Sequence, residues 1–172
     1  PARRPWLTLL TIAAAAAAVL LISRWPAPSQ WSVADSSAFV LARVDGREFT
    51  PDETSRLAAA LHPRSIIEVE GGSLDLVLDQ RLALSVAAGG ALTLMAIPEP
   101  EVLADLWLTL ERGSLAIVTG PGFPGSSLRI QTPDTEVRIV GTRFAVDIIA
   151  GQGTCVCCSE GSVSVFEAPL AA

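Results

Sequence analysis

The sequence predicts a mainly β protein: an all-β sandwich or β-roll with one short helix, preceded by a single transmembrane helix. Three features carry this. From Ser65 onward, short apolar runs recur with turn residues between them, a spacing typical of small β domains. The stretch Glu136–Phe166 alternates apolar and polar residues with period two, the mark of half-buried strands. Ahead of all this, Trp6–Ile22 runs for 17 residues without a charge.

The 172 residues are half hydrophobic, which suits one globular domain with an extra apolar segment attached. All 18 acidic residues follow Ala34, together with 9 of the 12 arginines, and there is no lysine. That part therefore carries 9 − 18 = −9. So acidic a domain repels phosphate backbones, which argues against nucleic acid as a partner.

At the N-terminus, Pro1–Arg4 is a small basic head. The apolar run behind it fits a cleaved signal peptide or a retained anchor, and it is short for a span. Trp6 and Trp25 bracket it, and 19 residues at about 1.5 Å each cover roughly 28 Å. That matches the hydrocarbon core, with Trp at each interface. A chain opening on Pro is what Met removal leaves, and a secreted chain would have lost this segment, so the anchor is expected. Arg3 and Arg4 place the head in the cytoplasm and the remainder in the periplasm, across a bacterial inner membrane. The block Ala13–Ala18 has little side-chain volume and lets a neighbouring helix approach, with Ala14 and Ala18 one turn apart on the contact face. The expected organisation is head and helix over 1–25, a Pro/Ser linker over 26–37 with Trp31 on the membrane surface, and a β domain over 38–172.

Within the domain, Ala38–Val44 ends at Asp45-Gly46, a turn signal. Thr50-Pro51-Asp52-Glu53 is a capping box with Pro at the first helical position. The helix behind it presents Leu57, Ala58 and Leu61 on one face, and Pro63 stops it. Strands are expected over Ile67–Val69, Leu74–Leu78, Leu82–Val86 and Ala91–Ala96. Val102–Leu106 reads as a helical turn. Trp107–Leu110 and Leu115–Val118 read as a hairpin about Arg112-Gly113. Gly120–Gly125 reads as a surface loop, with Phe123 at its tip a candidate partner contact. In Glu136–Phe166, Gly141 suggests a bulge or sharp bend between two alternating runs. Ser159-Glu160-Gly161 has the length of a three-residue hairpin loop joining Cys155–Cys158 to Ser162–Phe166.

The run from Ile139 to Val146, with Gly141, Thr142 and Phe144, followed by Glu160-Gly161-Ser162-Val163-Ser164-Val165, resembles the FecR domain, the periplasmic module of the ferric-citrate-type sigma regulators. Leu108–Leu115 is similar to a Gly-containing hairpin of that family, and Ser127–Pro133 to its strand ending in Thr-Pro. The resemblance extends over roughly Leu74–Phe166. It implies a periplasmic β module in a regulator that contacts a sigma factor inside the cell and a transducer outside.

Candidate chemistry is sparse. Cys155, Cys157 and Cys158 lack the ligand count and spacing of a zinc or haem site. They read as small hydrophobic residues of a core strand, with a disulfide, a thioether lipid or a metal as the other readings. Gly120–Gly125 fails as a phosphate loop, because no Lys follows and two prolines remove amide donors. The pairs Glu68/Glu70 and Glu99/Glu101 have no pocket to tune them and read as solvated strand faces. His62, the one histidine, sits at a helix end and would have to serve any Ser-His-Asp triad. No enzyme activity, cofactor or metal is expected. The expected role is a structural or accessory subunit of a larger respiratory or photosynthetic membrane complex, contacted through the helix and the β domain. A FecR-like transmembrane signalling protein and a cell-envelope binding module are the alternatives.

Overall fold

The computed structural model describes residues 31–96 and 106–168. The expected membrane helix, Trp6, Trp25, Ala14, Ala18, Glu99, Glu101 and most of the expected turn at Val102–Leu106 lie outside the described residues. Among those described, no helix is long and apolar enough to cross a membrane.

The chain is mainly β. In order it forms β1 (Trp31–Val33), β2 (Leu41–Val44) and β3 (Arg47–Phe49), then a 3-10 turn at Pro51–Glu53 that runs into α1 (Thr54–Ala60). There follow β4 (Ile66–Glu70), β5 (Ser73–Leu78), β6 (Leu82–Ala87), β7 (Ala91–Ala96), β8 (Leu106–Thr119), β9 (Leu128–Gln131), β10 (Thr135–Ile149) and β11 (Gly153–Glu167). The Asp45-Gly46 turn between β2 and β3 has positive φ at both residues, 53° and 79°, as a tight hairpin requires. The capping box at Thr50 and Glu53 is formed, and α1 buries Leu57 and Ala58.

One sheet folds over on itself around a single core. Its upper half runs β3-β2-β4-β7, then the first half of β8, β9, the first half of β10 and the second half of β11. Its lower half runs β1-β5-β6, then the second half of β8, the second half of β10 and the first half of β11. All pairings are antiparallel except β8 with β9. The three long strands thus belong to both halves and make the corner. On the opposite side α1 packs against β1 and β3, the two remaining edges.

The corner is encoded by a change of phase. In β8 the buried residues are Leu106, Leu108 and Leu110, then Leu115 and Ile117. The switch from even to odd positions falls at Glu111-Arg112-Gly113, where the pairing with β7 slips by one residue. A single bulge residue of this kind turns the same face inward after the bend. β10 repeats the device: Val137 and Ile139, then Phe144 and Val146, with the slip at Gly141. Gly141 has φ 127°, so the expected bend is present there.

Four expectations need correction. The run about Arg112-Gly113 is one continuous strand, because its halves pair with different neighbours rather than with each other. Cys155–Phe166 is likewise one strand and no hairpin, since both of its halves pair with β10, with an extra residue at Ser159 opposite the Arg143–Phe144 step. The linker reading of 26–37 fails from Trp31 onward, since β1 pairs with β5 and Ala34 and Ala38 donate backbone hydrogen bonds to Asp75 and Ser73. Trp31 is accordingly not at a membrane surface but 4% exposed in the core, beneath α1 and opposite Leu78.

Candidate functional site

The residues of strongest sequence signature converge on β10 and β11. Phe144 is buried at the centre of the lower half, between Ile117 on β8 and Cys158 on β11. Gly141 and Gly161, both at positive φ, lie where the two strands bend together, and Thr142 pairs with Gly161. Glu160 is exposed and pairs with Arg143. These motif residues shape the corner, since a bend shared by paired strands must be placed at matching positions on both.

β11 pairs with β10 along 15 residues and with no other strand among those described. Its outer edge presents a row of backbone N–H and C=O groups available to another chain. No residue of β11 is fully buried; Val156 and Val163 lean on the core. Val165 and Phe166 are 52% and 46% exposed, and Arg138 stacks over the Phe166 ring at 4.9 Å. Sequence reasoning passed over this pair. The available clue was Phe166 following Val165, apolar residues on both faces of one strand.

The cysteines are not core residues. All three are exposed and free, because among the described residues β11 has a neighbour on one side only and its outward face is uncovered. Cys155 and Cys157 share that face, with sulfurs 3.9 Å apart, whereas Cys158 Sγ lies 3.4 Å from the Glu160 carbonyl oxygen. The Cys155 thiol is pushed up in pKa, chiefly by its hydrogen bond to Cys157 and then by the charge of Cys157 and, more weakly, of Asp147.

Phe123 also differs from expectation. It is 3% exposed and plugs the core from its loop, leaving no aromatic tip for a partner. Glu68 and Glu70 do lie on a strand face, where Arg112 and Arg43 pair with them at 2.6 and 2.7 Å. Exposed pairs of this sort contribute little to stability.

His62 does come together with a serine and an aspartate, in the wrong order for catalysis. Its Nε2 is 3.2 Å from Asp45 Oδ2, which also accepts the Ser65 hydroxyl at 3.1 Å. Ser65 Oγ in turn accepts the His62 backbone N–H. The imidazole never touches the hydroxyl, and Ser65 is fully buried, so the cluster locks the α1–β4 loop and cannot present a nucleophile. The groove between β1 and α1, about 400 Å³ and lined by Trp31, Ser32, Val33, Thr54, Ser55, Ala58 and Ala59, holds no titratable side chain.

Comparison with known families decides the class. The FecR protein model matches residues 65–164. The chain belongs to the FecR family. The match begins at β4 and ends within β11, so the long bent strands are inside it and β1–β3 with α1 lie before it. No curated protein and no solved structure matches the chain.

Proposed function

We propose that this protein is a FecR-type regulatory module: a non-enzymatic β domain, anchored by its N-terminal segment and facing the periplasm, that signals by binding another protein along β11. The observation that carries this reading is the open edge of β11 at the end of a FecR match. Edge strands are the usual site of strand addition, in which main-chain hydrogen bonds give affinity and exposed side chains give selectivity. Val165 and Phe166 would supply the selective contacts. The acidic domain favours a partner with basic residues near its docking strand.

The reading as an accessory subunit of a respiratory or photosynthetic assembly rests on residues 1–25, outside the described residues, and on the acidity of the domain, and family membership adds nothing to it. One experiment separates the two. The full chain is extracted in mild detergent from its native membrane as wild type, as Val165→Lys/Phe166→Lys and as Ala14→Leu/Ala18→Leu. The regulatory reading expects the β11 variant to lose its co-purifying protein and the helix variant to keep it. Retention by the β11 variant with release by the helix variant overturns the proposal in favour of the accessory subunit.

A further inference from the structure

Three exposed thiols within four positions are not explained by packing, by the family motif or by strand pairing. Cys155 lies opposite Asp147 and Cys157 opposite Ala145. One strand further in, the same rows hold Ser114 and Ala116 on β8. The side chains on those two rows are therefore small, apart from the Asp147 carboxylate, and both cysteines are exposed.

Two thiols so placed have two kinds of chemistry. They could join to each other, but two residues of extended strand span about 6.6 Å. That is at the far end of the Cα range of a disulfide, roughly 4.4–6.8 Å. The sulfurs would also have to close from 3.9 Å to about 2.05 Å. Such closure pulls against the β10 pairing of Cys155, Val156 and Cys157. A bridging ion needs no such movement. With metal–sulfur bonds of about 2.3 Å, sulfurs 3.9 Å apart subtend roughly 116° at the metal. That angle lies between tetrahedral and trigonal.

We propose that Cys155 and Cys157 form an open two-sulfur site for a thiophilic d10 ion, Cu(I) before Zn(II). Thiolates select soft ions. Zinc usually draws three or four ligands from the protein, and no group of three His, Cys, Asp or Glu side chains able to hold a metal exists among the described residues. Cu(I) is content with two sulfurs and one outside donor. The binding step is an exchange: two S–H bonds release their protons to solvent, two Cu–S bonds form, and no electron is transferred. The third position stays open to a donor from solvent or another molecule, as suits a site that passes its ion on.

The test is an anaerobic titration of the full reduced chain in detergent with Cu(I), against a chromophoric Cu(I) chelator. Wild type and Cys158→Ser should each take one equivalent. Cys155→Ser/Cys157→Ser should compete about 100-fold less well or worse, because both tethered sulfurs of the site are gone and only single-thiol binding at Cys158 remains. Iodoacetamide labelling read by intact mass gives a measure that needs no variant: three thiols react in the free protein, and Cu(I) shields two. Equal competition by the double variant, equal loss in Cys158→Ser, shielding of no thiol, or tighter retention of Zn(II) than Cu(I) would each overturn the proposal.

Discussion

β8 and β11 are nearly the same length, 14 and 15 residues, and both bend at a glycine. Both alternate in sequence. Yet β8 buries five large apolar side chains, Leu106, Leu108, Leu110, Leu115 and Ile117, to 3% exposure or less, and β11 buries none. The difference is in neighbours. β8 is paired on both sides along its length, to β7 and β9 and then to β6 and β10. β11 has β10 alone. Alternation reports that a segment is a strand with two unlike faces. Burial depends on what flanks it, which alternation does not report.

The sharpest way to break the comparison is to empty one strand and then the other. Leu110→Ala in β8 should cost about 2–5 kcal/mol, the range for a fully buried Leu. Val165→Ala in β11 should change stability by about 0.5 kcal/mol or less, as expected of an exposed position. Urea denaturation of both variants measures this, and similar midpoints would mean that β11 is buried.

The bends offer a second contrast. Gly113 has φ 82°, and a Cβ there would lie 2.6 Å from the Cα of Gly90, a backbone atom that cannot swing aside. Gly141 has φ 127° with open space around the added atom. Both substitutions to Ala carry the left-handed penalty, of order 1–3 kcal/mol. Gly113→Ala should reach or exceed the top of that range and Gly141→Ala should stay near the bottom. Thermal melts of the two variants give the order directly, and the reverse order would contradict the close approach of β8 to Gly90.

Much of this was legible in the residues. The helix start at Thr50, the Asp45-Gly46 turn and the Gly141 bend follow from local chemistry, because capping, positive φ and phase switching each act over a few residues. The hairpin about Arg112-Gly113 was misread for a physical reason. A turn and a bulged corner both need a glycine at positive φ, and they differ in whether the flanking runs pair with each other, which is a long-range fact. Phase was the overlooked discriminator, since Leu110 to Leu115 is an odd step across the glycine. Phe123 and Trp31 were misplaced because proline-rich surroundings say that a segment is irregular, not that its aromatic ring points outward. The motif residues of β10 and β11 were found by resemblance, whereas the exposure of the thiols needed the strand order.

The thiols give the next smaller effect. Were Cys155, Cys157 and Cys158 core residues, replacing all three by Ala would cost about 1–3 kcal/mol in packing. Exposed as they are, the triple variant should stay within about 0.5 kcal/mol of wild type in denaturant. A larger loss would place them under cover.

The smallest effect concerns how the free strand is held at its ends. Asp134, in the turn between β9 and β10, accepts the Thr154 backbone N–H on Oδ2 at 3.1 Å. Its Oδ1 accepts the Thr154 and Thr132 hydroxyls, and its carbonyl accepts the Ala168 N–H at 2.9 Å. One residue thus clasps both the start and the end of β11. The hydrogen bond from the Thr154 hydroxyl, above all, holds the Asp134 carboxyl below its ordinary value of 3.8, against opposing desolvation. A folded-state pKa lowered in this way means that the clasp is fully present above the unfolded value and is lost as pH falls through the folded one. Below about pH 4, β11 should therefore loosen at Thr154 before the core responds. The carboxylate is exposed, so global unfolding will hardly register the change. The amide protection factor of Thr154 will. It should fall as pH is lowered from 6 to 3 (after correction for intrinsic exchange), and Asp134→Asn should lower it already at pH 6. The protection of Ile117, in the doubly paired strand, should not move in either case. Loss at Ile117 together with Thr154 would mean that β11 and the core open as one unit, and the distinction between the two strands would vanish.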